Sequence, residues 1–244
     1  MIGMIRPTPI TAYLGVNGSG KSLSAIAFAL RDQERKGRPL ITNMVGLSGD
    51  HFHVDGVDEL PDLMRQIAGS YVSAKHGRPL GMNIVLDEAG AMFSSRDAGP
   101  QKKAFEKTVQ QLRKYRARLL WTAPTFSRAD KILREVTFTA VLCTPMVKRA
   151  VPDDPWPSTR LIFQKSFDVS RLDTSSTSMN KNAKATGFGF VRTGRWQDAF
   201  DSFATADGSM RTETTSGVVP SQLLGGPARG GCAGALALEV DSEQ

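Results

Sequence analysis

The sequence predicts an α/β fold, a three-layer sandwich around a mainly parallel sheet, followed by a short β-rich C-terminal extension and a flexible tail. Three observations carry this expectation. Short apolar strands alternate with amphipathic helices through the first 145 residues, the pattern of a parallel sheet covered on both faces. A glycine-rich loop stands between the first strand and the first helix. Beyond Pro152 the helical spacing stops and two strand-like pieces remain, 153–170 and 187–203.

Taken in order, residues 8–16 (TPITAYLGV) predict a short buried strand running into the glycine-rich loop. Residues 21–35 carry Leu23, Ile26, Phe28 and Leu30 at near-helical spacing and end in charges before Gly37, which predicts a helix. GRPLITNM (37–44) predicts the second strand. Residues 57–75 predict a helix with Leu60, Leu63, Met64, Ile67 and Tyr71 on one side, and Asp58 and Pro61 in its first turn. MNIVLDEAG (82–90) is an apolar strand ending in two acids. A basic helix over 100–117, opened by Pro100, leads to the strand RLLWTAP (118–124). A helix over 127–135 and the strand VTFTAVLCTP (136–145) complete the core. The expected organisation is a core over 1–150, a β-rich extension completing the domain over 151–204, and a poorly ordered Gly/Ser/Thr-rich tail over 205–244.

At 244 residues, 40% hydrophobic and 23% charged, the composition is that of a soluble globular protein. No run of about 18 or more apolar residues occurs, and the N-terminal MIGMIRPTP lacks the apolar stretch of a signal peptide. Cys143 and Cys232 lie outside any ligand pattern, so the thiols read as reduced, in a cytoplasmic protein. His51 and His53 read as loop histidines, with metal ligation as the alternative. The net charge of +7 is concentrated: eleven Lys/Arg against three acids lie between Arg96 and Arg134. Such a segment fits a polyanion partner and a solvated helix face equally well.

The loop Gly15-Val16-Asn17-Gly18-Ser19-Gly20-Lys21-Ser22 fits GxxxxGK(S/T) at every fixed position. Its glycines let backbone N–H groups turn inward onto phosphate oxygens. Lys21 sets a cation between the β- and γ-phosphates of ATP, and the Ser22 hydroxyl ligates Mg²⁺. The strand before it and the helix after it make this a P-loop NTPase arrangement. Such a site needs a further acid at the end of a neighbouring strand, and NIVLDEAG supplies it. Asp87 holds Mg²⁺, directly or through water, and Glu88 acts as general base on the attacking water. The Asp-Glu pair favours hydrolysis over the small-molecule kinase that a phosphate loop also allows.

DEAGAMFSSR (87–96), QQLRKYR (110–116) and LLWTAP (119–124), with Thr42-Asn43 and more loosely FDSFATAD (200–207), resemble the core of the zonula-occludens-toxin-like ATPases. That family includes the assembly ATPases of filamentous phages, the gene I proteins, within the HerA/FtsK group of DNA-pumping motors. The resemblance covers roughly residues 8–145. It implies a homo-oligomeric ring, with a hexamer favoured, that hydrolyses ATP at shared interfaces and moves DNA for phage extrusion, genome packaging or conjugative transfer. It makes Arg96 and Arg113 the candidates for an arginine finger, and Lys102, Lys103, Lys107, Arg116 and Arg118 candidates for sequence-independent phosphate contacts. Three departures stand out. Ala123-Pro124 replaces the Gln expected after Thr122, leaving Thr122 as a partial substitute. Arg113-Lys114 lies one residue nearer its strand. The family's transmembrane helix is missing, so work at the inner face of a membrane requires a partner membrane protein. An ATP-dependent adaptor or switch that never translocates DNA is the alternative reading.

Overall fold

The computed structural model describes residues 3–74, 76–92, 98–151, 154–171, 184–196 and 199. Its centre is one eight-stranded sheet. In chain order the elements are β1 (Ile10–Leu14), α1 (Lys21–Lys36), β2 (Leu40–Thr42), β3 (Phe52–His53), α2 (Leu60–Ser70), β4 (Asn83–Leu86), α3 (Ala89–Met92), α4 (Ala98–Leu112), β5 (Arg118–Ala123), α5 (Lys131–Val136), β6 (Thr139–Val151), β7 (Asp154–Asp168) and β8 (Gly187–Arg192). Across the sheet they run β3-β2-β4-β5-β1-β6-β7-β8, parallel as far as β6 and antiparallel over the last two pairings.

Helices cover the parallel part on both sides, which is why β1, β2 and β4 are mostly apolar and buried at every position. On one face Leu60, Met64 and Ile67 of α2, Phe105 and Leu112 of α4 and Leu133 of α5 pack on Ile10, Ile41, Ile84, Leu86, Leu119 and Trp121. On the other, Ala25, Ile26 and Ala29 of α1 lie on Tyr13, Leu40, Val85, Leu120 and Val141. Each large aliphatic side chain fully buried in this way contributes about 1.5–3 kcal/mol. The result is the expected three-layer α/β sandwich.

Several boundaries differ from the sequence reading, for local reasons. The basic helix stops at Leu112, because residues 113–116 turn back with Arg116 at φ +54° and the Ala117 N–H bonds to Leu112 O at 2.8 Å. The helix expected over 127–135 is a 3₁₀ turn at Phe126–Arg128 followed by α5, whose cap is Asp130, accepting from the Ile132 N–H at 2.9 Å. The strand expected to end at Pro145 continues to Val151, with register shifts from Pro145 onward. A proline has no N–H for the ladder, so an irregularity there lets the strand pass through. β7 and β8 then lengthen the same sheet. The N-terminal segment ties them down: the Ile5 N–H donates to Gln164 Oε1 at 3.1 Å and the Phe190 N–H to Gly3 O at 3.2 Å. Residues 205–244, expected as a tail, lie outside the described residues.

One buried carboxylate fastens α1 to the sheet. Asp32, whose side chain is 5% exposed, meets Lys36 at 2.5 Å, Arg38 at 3.1 Å and Arg118 at 3.0 Å, and accepts from Asn83 Nδ2 at 3.2 Å. Arg38 precedes β2, Asn83 opens β4 and Arg118 opens β5. Burial alone would raise the Asp32 carboxyl, but these donors and cations together hold it below the ordinary value. Arg118, a candidate phosphate contact from the sequence, is therefore an internal partner of Asp32.

Candidate nucleotide site

The phosphate loop leaves β1 at the C-terminal edge of the sheet and enters α1 at Lys21. Gly15 is buried, Val16, Asn17 and Gly18 are exposed, and the tip is closed by the Ser19 N–H on Val16 O at 3.0 Å. Gly20 has φ +83°, and a Cβ there would lie 2.2 Å from Ile162 Cδ1, so only glycine fits. Ile162 belongs to β7, which places the C-terminal extension directly against the loop. Lys21 is 7% exposed and pairs with no carboxylate among the described residues. Ser19, 2% exposed, has a hydroxyl without a partner. A buried unpaired cation and an orphaned hydroxyl on an inward-turned backbone suit a polyphosphate, which would satisfy both.

Asp87 follows β4 and meets the loop directly. Its Oδ1 accepts from the Ser22 hydroxyl at 2.7 Å and from the Thr122 hydroxyl at 2.5 Å. Its backbone is clamped on both sides by one side chain: the Asp87 N–H donates to Asn43 Oδ1 at 2.7 Å, and Asn43 Nδ2 donates to Asp87 O at 3.0 Å. Ser22 and Asp87 thus present hard oxygen donors side by side, a set that suits Mg²⁺. Glu88 is exposed and sits at φ +46°, in the left-handed region that non-glycine residues rarely occupy. Such a conformation costs about 1–3 kcal/mol and persists only where neighbours impose it. Here the Glu88 N–H is held on Thr122 Oγ1 at 3.0 Å.

Thr122 therefore links both acids. It is fully buried at the end of β5, donating to one acid and accepting from the backbone of the other. The sequence offers it as a partial substitute for an absent Gln; in the structure its hydroxyl is shared between Asp87 and the Glu88 N–H. Thr122→Val is expected to lower kcat about tenfold or more with a smaller change in KM, since the Glu88 N–H would be left unpaired. The same change is expected to lower stability by about 1–3 kcal/mol. Steady-state ATPase kinetics and thermal melts on the same preparation check both.

A family model described as zonular occludens toxin (Zot) matches residues 10–146, more than half of the chain. The chain belongs to the Zot family. Among curated proteins, no sequence relative matches. In fold, this Zot-family chain is similar to the N-terminal domain of zonular occludens toxin from Neisseria meningitidis, at 16% identity and a TM-score of 0.45, over 80% of this chain and 100% of that one. It is also similar to the genome packaging NTPase of Sulfolobus turreted icosahedral virus 2 in complex with ATP-gammaS, at 10% identity and a TM-score of 0.39, over 72% and 97%. The DNA-packaging ATPase of Sulfolobus Turreted Icosahedral Virus gives 14% identity and a TM-score of 0.43 over the same shares.

The site of this Zot-family chain thus gathers Lys21, Ser22, Asp87, Glu88 and Thr122 at one edge of the sheet. Arg113 lies elsewhere. It is exposed in the turn between α4 and β5, at the N-terminal edge of the parallel strands and away from the loop. Arg96 lies outside the described residues, as does the side chain of Lys102. Lys103, Lys107 and Arg116 are exposed. The residue that sequence reasoning used only as a family likeness is Asn43. Its signal was present: an uncharged polar pair, Thr42-Asn43, at the end of a strand that neighbours β4.

Proposed function

We propose that this Zot-family protein is an ATPase that couples hydrolysis to DNA movement, as in phage assembly or extrusion, packaging or conjugative transfer. The observation that carries the hydrolytic part is the meeting of Ser22, Asp87 and Thr122 on one carboxylate oxygen, with Glu88 held one residue further on. Lys21 and the loop N–H groups bind the β- and γ-phosphates, Ser22 and Asp87 hold Mg²⁺, and Glu88 takes the proton from the attacking water. The metal, when bound, neutralises charge on the phosphate oxygens. Asn43 and Thr122 keep the two acids in place. The family and the exposed cations Lys103, Lys107 and Arg116 support DNA as the cargo and a homo-oligomeric ring, with a hexamer favoured, as the working form. Arg96 and Arg113 remain the candidates for a finger donated to a neighbouring subunit.

ATPase rate with and without DNA, and mass in solution with and without an ATP analogue, test the reading together. Stimulation by DNA and a nucleotide-dependent ring are expected, with turnover lost in Lys21→Ala. A protein that stays monomeric at every concentration and ignores all nucleic acid would overturn the motor.

One observation favours a second reading, an ATP-dependent switch or adaptor that engages a membrane protein. The single Thr122 hydroxyl proton is directed to Asp87 and its oxygen to the Glu88 N–H, which leaves no donor there for the γ-phosphate. No helix among the described residues is long and apolar enough to cross a membrane. A slow turnover that DNA does not change, with ATP-dependent capture of a membrane protein, would favour the switch.

A further inference from the structure

The face of the sheet that α2, α4 and α5 cover over its parallel part is uncovered among the described residues at β7 and β8. Two-residue alternation puts Leu161, Phe163 and Lys165 of β7 on that face beside Phe188, Phe190 and Arg192 of β8, with Phe163 opposite Phe190 and Lys165 opposite Phe188. The rings touch. Phe163 and Phe188 lie in planes 3° apart with centroids at 6.0 Å, and Phe163 and Phe190 have centroids at 5.0 Å. Phe188 is 54% exposed. The Lys165 ammonium stands 5.6 Å from the Phe163 ring centre, and both Lys165 and Arg192 are exposed. The opposite side of the same strands is well buried, by Ile162, Gln164 and Val191.

A phenylalanine cluster with Phe188 exposed and Phe163 and Phe190 half-buried, interleaved with cations, is a poor surface for solvent and a good one for flat, anionic polymers. We infer that the β7–β8 face binds single-stranded nucleic acid by stacking unpaired bases on Phe163, Phe188 and Phe190, with Lys165 and Arg192 on the flanking phosphates. Sheets that bind single strands use exposed aromatic side chains in this way, stacking two or three bases per sheet. A duplex keeps its base faces stacked inside and offers these rings nothing. The charge pattern also argues against a second copy on this face. No carboxylate shares it among the described residues, so a two-fold contact would set Lys165 and Arg192 against their own likes.

This inference rests on DNA being the cargo and adds which form of it the chain grips and where. The test uses the full chain, free of nucleotide, and fluorescence anisotropy with fluorescein-labelled oligothymidylate and with a duplex of equal length. Phe188→Leu, which keeps an apolar side chain but loses the flat ring, is expected to weaken oligothymidylate binding about tenfold. Phe188→Trp should bind at least as well as the natural chain, and duplex affinity should not change in either. Lys165→Gln should make the slope of log affinity against log salt shallower by about 0.7. Circular dichroism confirms that the variants keep their fold, which the exposure of Phe188 favours. Unchanged oligothymidylate affinity in a folded Phe188→Leu protein overturns the inference. So does a change in self-association in that variant without DNA, which would assign the face to a second copy. If duplex alone binds and stimulates ATPase activity regardless of Phe188, this inference fails while the proposed motor stands. If ATPase activity is absent but Phe188-dependent binding is found, the reverse holds.

Discussion

Glu88→Gln is expected to reduce kcat for ATP by two orders of magnitude or more while the protein still binds nucleotide. A positioned general base contributes about 10²–10⁴-fold, and the amide cannot take the proton. What stays is every group proposed to hold phosphate and metal: Lys21, the loop N–H groups, Ser22 and Asp87. The backbone at position 88 should also stay, because the N–H on Thr122 Oγ1 belongs to the main chain and survives the substitution. Titration with a fluorescent ATP analogue should therefore give a dissociation constant within a few-fold of the natural chain. A single-turnover assay should show bound ATP that is not converted. Residual turnover near the natural rate would remove Glu88 from the chemistry and leave Asp87 or a residue of a neighbouring subunit to activate water. The contrast with Lys21→Ala separates the steps, since that change is expected to weaken binding as well as turnover.

Asp32→Ala is expected to be the most damaging single change to stability, by about 3–5 kcal/mol, because it leaves Arg118 and Arg38 inside the protein without their counter-ion. That loss is a large share of the 5–15 kcal/mol that holds a typical domain together. Urea denaturation followed by circular dichroism measures it directly. Asp32→Asn tests the charge apart from the shape and should fall between the two. The same group gives the protein an acid limit. Its carboxyl titrates below the ordinary value in the folded state, so its contribution is present in full at neutral pH. It begins to fade as the pH drops below the unfolded carboxyl value near 4, and is gone once the folded value is passed. In the Asp32→Asn protein this part of the acid sensitivity should be absent. An unchanged denaturation midpoint at pH 7 would show that the four donors are satisfied by water instead.

The central strands were legible because a strand buried on both faces is written as a continuous apolar run. β1 and β4 each end where the candidate site residues begin, at Gly15 and Asp87. β3 was not, since two residues carry no period, and neither was the length of β6, because Pro145 reads as an end in any strand that must supply every ladder bond. Within the site, Gly15 to Ser22 were legible as a local pattern. Asp87 and Glu88 were legible from their place after an apolar strand. The linking place of Thr122 was not, because it depends on β5 lying beside β4, 34 residues away along the chain from Glu88. Asp32 reads in sequence as one more acid on a polar helix face. It is buried because three strands happen to begin around it, and no spacing within α1 announces that. Arg118 was misread for the same reason, as a surface cation in a basic run.

The close approach of Ile162 to Gly20 puts part of the phosphate loop's packing beyond the family match. Residues 10–146 contain every group assigned to phosphate, metal and water, yet stop before the side chain on which the loop rests. A protein trimmed there would keep its recognisable motifs and lose the floor beneath them. Anything that tugs on the far sheet edge, where the β7–β8 face would hold its strand, has in Ile162 a lever one atom's width from the phosphate loop.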